Sequence, residues 1–157
     1  MDQDFFEISS PKDMLHKATR EFRRMQENLN TDNIFNFFVT AWHVQDYVLV
    51  QMGWTTGKPL PKIIKDLRTE ADIQRCRFIC DKGKHLKVTA DHHKKFVKSD
   101  ELKHRSGALG MAGMGKFAIG EGPKNKLMVN GVEEDVIQLG EKILALWEAF
   151  LKKHGLS

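Results

Sequence analysis

Three long stretches of this chain repeat apolar residues at three- and four-residue steps, the period of a helix face rather than of a strand. In the first, Leu15, Ala18, Phe22, Met25 and Leu29 form one stripe, with Arg20, Arg23 and Arg24 off it. Ser10 is suited to cap it, Pro11 to fill its first position, and Asp13 to sit at its positive end. The second stretch starts with Thr31 or Asp32 as the cap and runs to about Met52. Its apolar residues, Phe35, Phe37, Phe38, Val39, Ala41, Trp42, Val44, Val48 and Leu49, cover most of the circumference, which predicts the central, most buried helix. In the third, Val136, Leu139, Ile143, Leu146, Trp147 and Phe150 share a face. Lys152, Lys153 and His154 favour its negative end, and Gly155 is its terminator.

Between these stretches the pattern is broken. Gly53, Gly57, Pro59 and Pro61 mark a loop anchored by Trp54. A short helix is expected from Lys62 to Arg68. Another begins near Glu70, carries Ile73, Cys76, Ile79 and Cys80, and weakens at Gly83. Segment 89–115 is irregular, basic and glycine-rich, with Gly107, Gly110, Gly113 and Gly115 at its end. Phe117 and Ile119 alternate with smaller residues, as do Leu127 and Val129, which predicts a hairpin; Asn130-Gly131 signals a tight turn and a further short strand. The expected fold is mainly α: a bundle of four to five helices with a small β-hairpin before the C-terminal helix, residues 1–157 forming one domain.

Composition narrows the class. With 41% hydrophobic and 29% charged residues in 157, the chain reads as globular rather than disordered. No apolar run approaches the ~18 residues of a membrane span. The acidic Met1-Asp2-Gln3-Asp4 start leads into no apolar segment. A cytoplasmic protein without a membrane partner is the expectation. The net charge of +4 is uneven: from Lys58 to Arg105 there are 14 Lys/Arg against 7 Asp/Glu, a surplus of +7. A basic middle of this kind attracts phosphate backbones.

Several chemistries find little support. Cys76 and Cys80 lie one helical turn apart, where a disulfide would constrain almost nothing, so both are read as reduced thiols. A metal site on Cys76, Cys80 and His85 lacks a second ligand pair at a recognisable spacing, and no metal or other cofactor is expected. The run Gly110 to Lys116 matches most of a phosphate-binding loop, but Phe117 replaces the magnesium-holding Ser/Thr and a strand-like segment follows where a helix should start. No GxSxG elbow is present.

One constellation does point to chemistry. The second helix offers Asn36, Thr40, His43 and Tyr47 along one line, with Asp46 beside it. The helix beginning near Glu70 offers Arg77, Asp81 and Lys84 or His85 on one face. Antiparallel packing of the two would bring imidazoles, carboxylates and cations together. Histidine moves protons near neutral pH, and Arg or Lys stabilises charge on a phosphate. Such a set suits metal-free RNA cleavage by the 2′-hydroxyl, or plain binding of RNA or a nucleotide. The same residues also suit a satisfied buried polar network.

The helix end Ile79-Cys80-Asp81-Lys82-Gly83-Lys84-His85 resembles the motif of HEPN domains (higher eukaryotes and prokaryotes nucleotide-binding). The aromatic helix Phe35-Asn36-Phe37-Phe38-Val39-Thr40-Ala41-Trp42-His43 resembles that family's second helix, so the resemblance covers residues 10–90. The family motif is an arginine, usually followed by a polar residue, then a histidine after four to six intervening residues. His85 fills the histidine position and Asp81 the polar one. Cys80 stands in the arginine position, and Arg77, the nearest upstream arginine, is separated from His85 by seven residues. The resemblance implies His85 as general acid/base, and Arg77 and Lys84 as phosphate holders. Asp81 belongs to the same substrate-binding set, and His43, Asn36 and Asp46 orient His85 or the substrate. Family members include toxins, defence ribonucleases and inactive binding modules, commonly dimers with the motif at the interface. The expected function is an RNA- or nucleotide-binding domain, with metal-independent ribonuclease activity that is weak or lost, acting as a homodimer. The alternative is a non-enzymatic adaptor that grips a protein partner through the basic segment and the 107–115 loop.

Overall fold

The structure, a computed structural model, describes the backbone of residues 8–84, 104–105, 126–129 and 132–156, and the side chains of 8–81 and 135–156. It is mainly helical. Among the described residues there are five helices: α1 (Pro11–Glu27), α2 (Thr31–Gln51), α3 (Lys62–Leu67), α4 (Ala71–Lys84) and α5 (Val136–His154).

Helix α1 begins as its sequence predicts. Ser10 accepts from the backbone N–H of Asp13 at 3.1 Å, and the Asp13 carboxylate accepts in return from the Ser10 N–H at 3.0 Å. This reciprocal box satisfies two donors that would otherwise be orphaned at the helix start. The Ser10 hydroxyl, followed by the Ser9 N–H, donates to the Asp13 carboxyl and holds it below its ordinary range. The junction to α2 differs from expectation. Asn28 ends α1, and Asn30, not Thr31 or Asp32, caps α2 by accepting from Asn33 N–H at 2.8 Å. Asparagine suits a cap because its short side chain reaches the backbone donors two and three positions on. At the far end of α2, the Trp54 indole N–H donates to the carbonyls of Lys58 and Pro59, tying the 53–61 loop to itself.

Helix α2 is central, packing on α1, α4 and α5. Phe37, Phe38, Ala41, Val44 and Val48 on it are wholly buried. Leu15, Ala18, Phe22 and Met25 of α1 meet it from one side, and Ile73, Cys76 and Ile79 of α4 belong to the same core. Helix α5 adds Val136, Leu139, Ile143, Trp147 and Phe150. Its start is capped by Asp135, which accepts from Ile137 and Gln138 N–H. It ends at Gly155, whose φ of +65° is the left-handed conformation that glycine adopts without steric cost. Gly140 is needed for a different reason: a Cβ there would lie 2.5 Å from Cε2 of Phe22 and 3.1 Å from Cε1 of Phe37. The absent side chain lets α5 approach the Phe22–Phe37 ring pair, whose centroids are 5.3 Å apart.

The hairpin expected from residues 117–119 against 127–129 is not seen, since 117–119 lie outside the described residues. A short antiparallel backbone ladder instead pairs β2 (Lys126–Val129) with β3 (Val132–Asp135), with Val129 opposite Val132, and β1 (His104–Arg105) pairs with β2. Apart from β1, the basic segment 89–115 lies outside the described residues, as does the phosphate-loop-like run 110–116. No described helix is long and apolar enough to cross a membrane.

Candidate nucleic-acid interface

Helices α2 and α4 run antiparallel, as the pairing of their residues shows. Arg68, just ahead of α4, reaches Gln45, while Cys76 further along α4 reaches back to Phe38. This register brings Arg68, between α3 and α4, and Arg77, midway along α4, to one aromatic ring. The guanidinium carbon of Arg68 lies 5.5 Å from the Trp42 ring centroid, and that of Arg77 lies 5.4 Å from it. Both distances are within the range at which a cation is attracted to the electron-rich face of an indole.

Arg68 is held at its inner side. Its Nε donates to Oε1 of Gln45 at 2.9 Å, and Gln45 is only 2% exposed. A buried amide fixed in the core therefore orients the guanidinium. Partial burial pulls the Arg68 group below the ordinary arginine range, and the positive charge of Arg77 adds to this, while Asp46 opposes it. An arginine remains charged under such shifts. The site thus keeps two like charges close together, and an anion would relieve the repulsion between them.

The other expected residues divide into two groups. Arg77 Nε lies 3.6 Å from the Asp81 carboxylate on α4. On α2, Nδ1 of His43 lies 2.6 Å from the Val39 carbonyl. A carbonyl only accepts, so the Nδ1 nitrogen carries the hydrogen, and Nε2 faces Asp46 at 3.9 Å. Asn36 is exposed on the same helix. Thr40, on the same line of α2, instead belongs to a network with α1, where it accepts from Lys17 Nζ at 3.1 Å. Lys17 and Arg24 flank Glu21, which is 6% exposed, so this part of the polar line is structural. Lys84 closes α4, but its side chain lies outside the described residues, as does all of His85.

Three participants escaped the sequence reading: Arg68, Trp42 and Gln45. Trp42 and Gln45 sit three apart on α2, so their shared face is readable, but both look like core residues there. Nothing in the spacing links Arg68 to Gln45, 23 positions earlier.

Cys76 donates to the Phe38 carbonyl at 3.4 Å, and burial pushes its thiol well above the ordinary value, with the neighbouring Cys80 adding to this. A thiol held protonated in this way is a poor metal ligand and a poor nucleophile.

Comparison with family models, curated proteins and solved structures returns no match.

Proposed function

We propose that this chain is a HEPN-like helical domain that binds RNA or a nucleotide through phosphate contacts at Arg68 and Arg77. The observation that carries the reading is the convergence of both guanidiniums on Trp42, with Arg68 clamped by a buried glutamine. Guanidinium forks match phosphate oxygens bidentately, and clamping one nitrogen of Arg68 lowers the entropy lost when the others bind. An indole beside two phosphate contacts suits nucleic acid because it offers an apolar surface to a base. The surplus of positive charge from Lys58 to Arg105 supports the same ligand class.

In this reading His85 and His43 are the proton-moving groups, Lys84 adds a phosphate contact, and Asp46, Asp81 and Asn36 orient substrate or cations. Cleavage, where it occurs, is metal-independent: one imidazole takes the 2′-hydroxyl proton and another protonates the leaving 5′-oxygen.

The experiment is fluorescence anisotropy of a labelled single-stranded RNA with the full chain, its Arg68→Gln and Arg77→Gln variants, and His85→Ala. Each arginine variant is expected to bind about three- to tenfold more weakly, the range for one lost charge-assisted contact in partly solvated surroundings. His85→Ala is expected to bind RNA while losing any cleavage. Equal affinity of wild type and both arginine variants would remove the proposal.

A further inference from the structure

A separate cleft lies between α3 and the C-terminal half of α5, with a volume of about 400 Å³. That volume is in the range of small-ligand sites. Its floor is apolar: Ile63 and Leu67 from α3 meet Leu146, Ala149 and Phe150 from α5. Its acidic and basic side chains are sorted by wall. Asp66 and Glu70 stand on the α3 side, and Lys153 and His154 on the α5 side.

Among the described residues no ion pair joins the walls. Asp66 bonds Lys62 on its own helix at 2.6 Å, and no ion pair joins Glu70 or Lys153 to another described residue. Acidic and basic side chains that line one cleft with no ion pair between them leave room for a ligand carrying both signs. The His154 ring rests 4.6 Å from that of Phe150, which holds the imidazole against the apolar floor. The negative end of the α5 dipole would by itself repel a carboxylate, but Lys152 and Lys153 in the last turn reverse the sign there.

We propose that this cleft binds a small zwitterion with an apolar body, of the class of an apolar dipeptide. The ammonium group faces Asp66 and Glu70, the carboxylate faces Lys153 and His154, and the apolar side chains cover Leu67, Leu146 and Phe150. Charge complementarity sets the direction of binding, and burial of the apolar body supplies most of the affinity. The site is independent of the phosphate contacts at Arg68 and Arg77.

The test is titration of the isotope-labelled full chain with leucylphenylalanine, phenylalanylleucine and dileucine, followed by NMR. Saturable shifts are expected at Glu70, Ala149 and His154 for at least one of the three. The N-acetylated, C-amidated form of that dipeptide, which carries no charge, should bind at least about tenfold more weakly, a loss of roughly 1.4 kcal/mol. Ala149→Trp fills the cleft from an exposed position and should abolish the shifts. Ala145→Trp, exposed on the same helix outside the cleft, should leave them intact. Absence of saturable shifts with all three dipeptides, equal affinity for the capped form, or unchanged binding by Ala149→Trp would overturn the proposal.

Discussion

Gln45 accepts a 2.9 Å hydrogen bond from Nε of Arg68, joining the central helix α2 to the cation that stands beside Trp42. A core residue thereby sets the orientation of a partly solvated one. Gln45→Leu, which roughly conserves volume, removes the acceptor and leaves an arginine that re-solvates. Its stability is expected to fall by no more than about 1–3 kcal/mol, the cost of a lost partner for a charged group. RNA affinity should fall nearly as far as in Arg68→Gln. Chemical denaturation and anisotropy on the same variant separate the two effects.

Gly140→Ala should destabilise the fold although alanine is the better helix former. The added methyl would stand 2.5 Å from the Phe22 ring, which is buried against Phe37 and has little room to yield. Overpacking of this kind costs about 1–3 kcal/mol, which over most of that range exceeds the ~1 kcal/mol that helix propensity returns. A urea titration reads the difference as a lower midpoint with an unchanged slope.

Cys76 makes stability depend on alkaline pH. Its folded-state pKa is raised above the ordinary 9.0 by burial. The folded protein therefore holds the thiol proton in a range where the unfolded chain releases it. The contribution is fully present below pH 9.0 and is lost as pH rises beyond it. Denaturation midpoints should decline above that pH, and Cys76→Ala should flatten the decline. In the same pH range, iodoacetamide should label Cys76 only at the rate of unfolding.

Much of the architecture was legible because local chemistry and burial agree in it. Ser10, Pro11 and Asp13 announce the start of α1, Gly155 the end of α5, and the apolar residues of α2 announce a central helix. The polar residues of α2 share one helix face by their period, but period alone does not say what stands opposite. Thr40 meets Lys17 of α1, while His43 bonds its own helix at Val39 and faces Asp46. Arg77 was recognisable as a candidate from its spacing to Asp81. Arg68 was not, because it ends a six-residue helix and gains its role from contacts far away in sequence. Long-range pairing depends on how helices cross, which no repeat within one helix encodes.

The most direct measurement is the salt dependence of RNA affinity, taken between about 50 and 200 mM salt, where counterion release dominates. For wild type, log affinity should fall linearly with log salt. The slope should be shallower by about 0.7 for each of Arg68→Gln and Arg77→Gln, the change that one lost phosphate contact makes on single strands. The double variant should show both losses. A double variant with the wild-type slope and affinity would mean that these two arginines hold no phosphate.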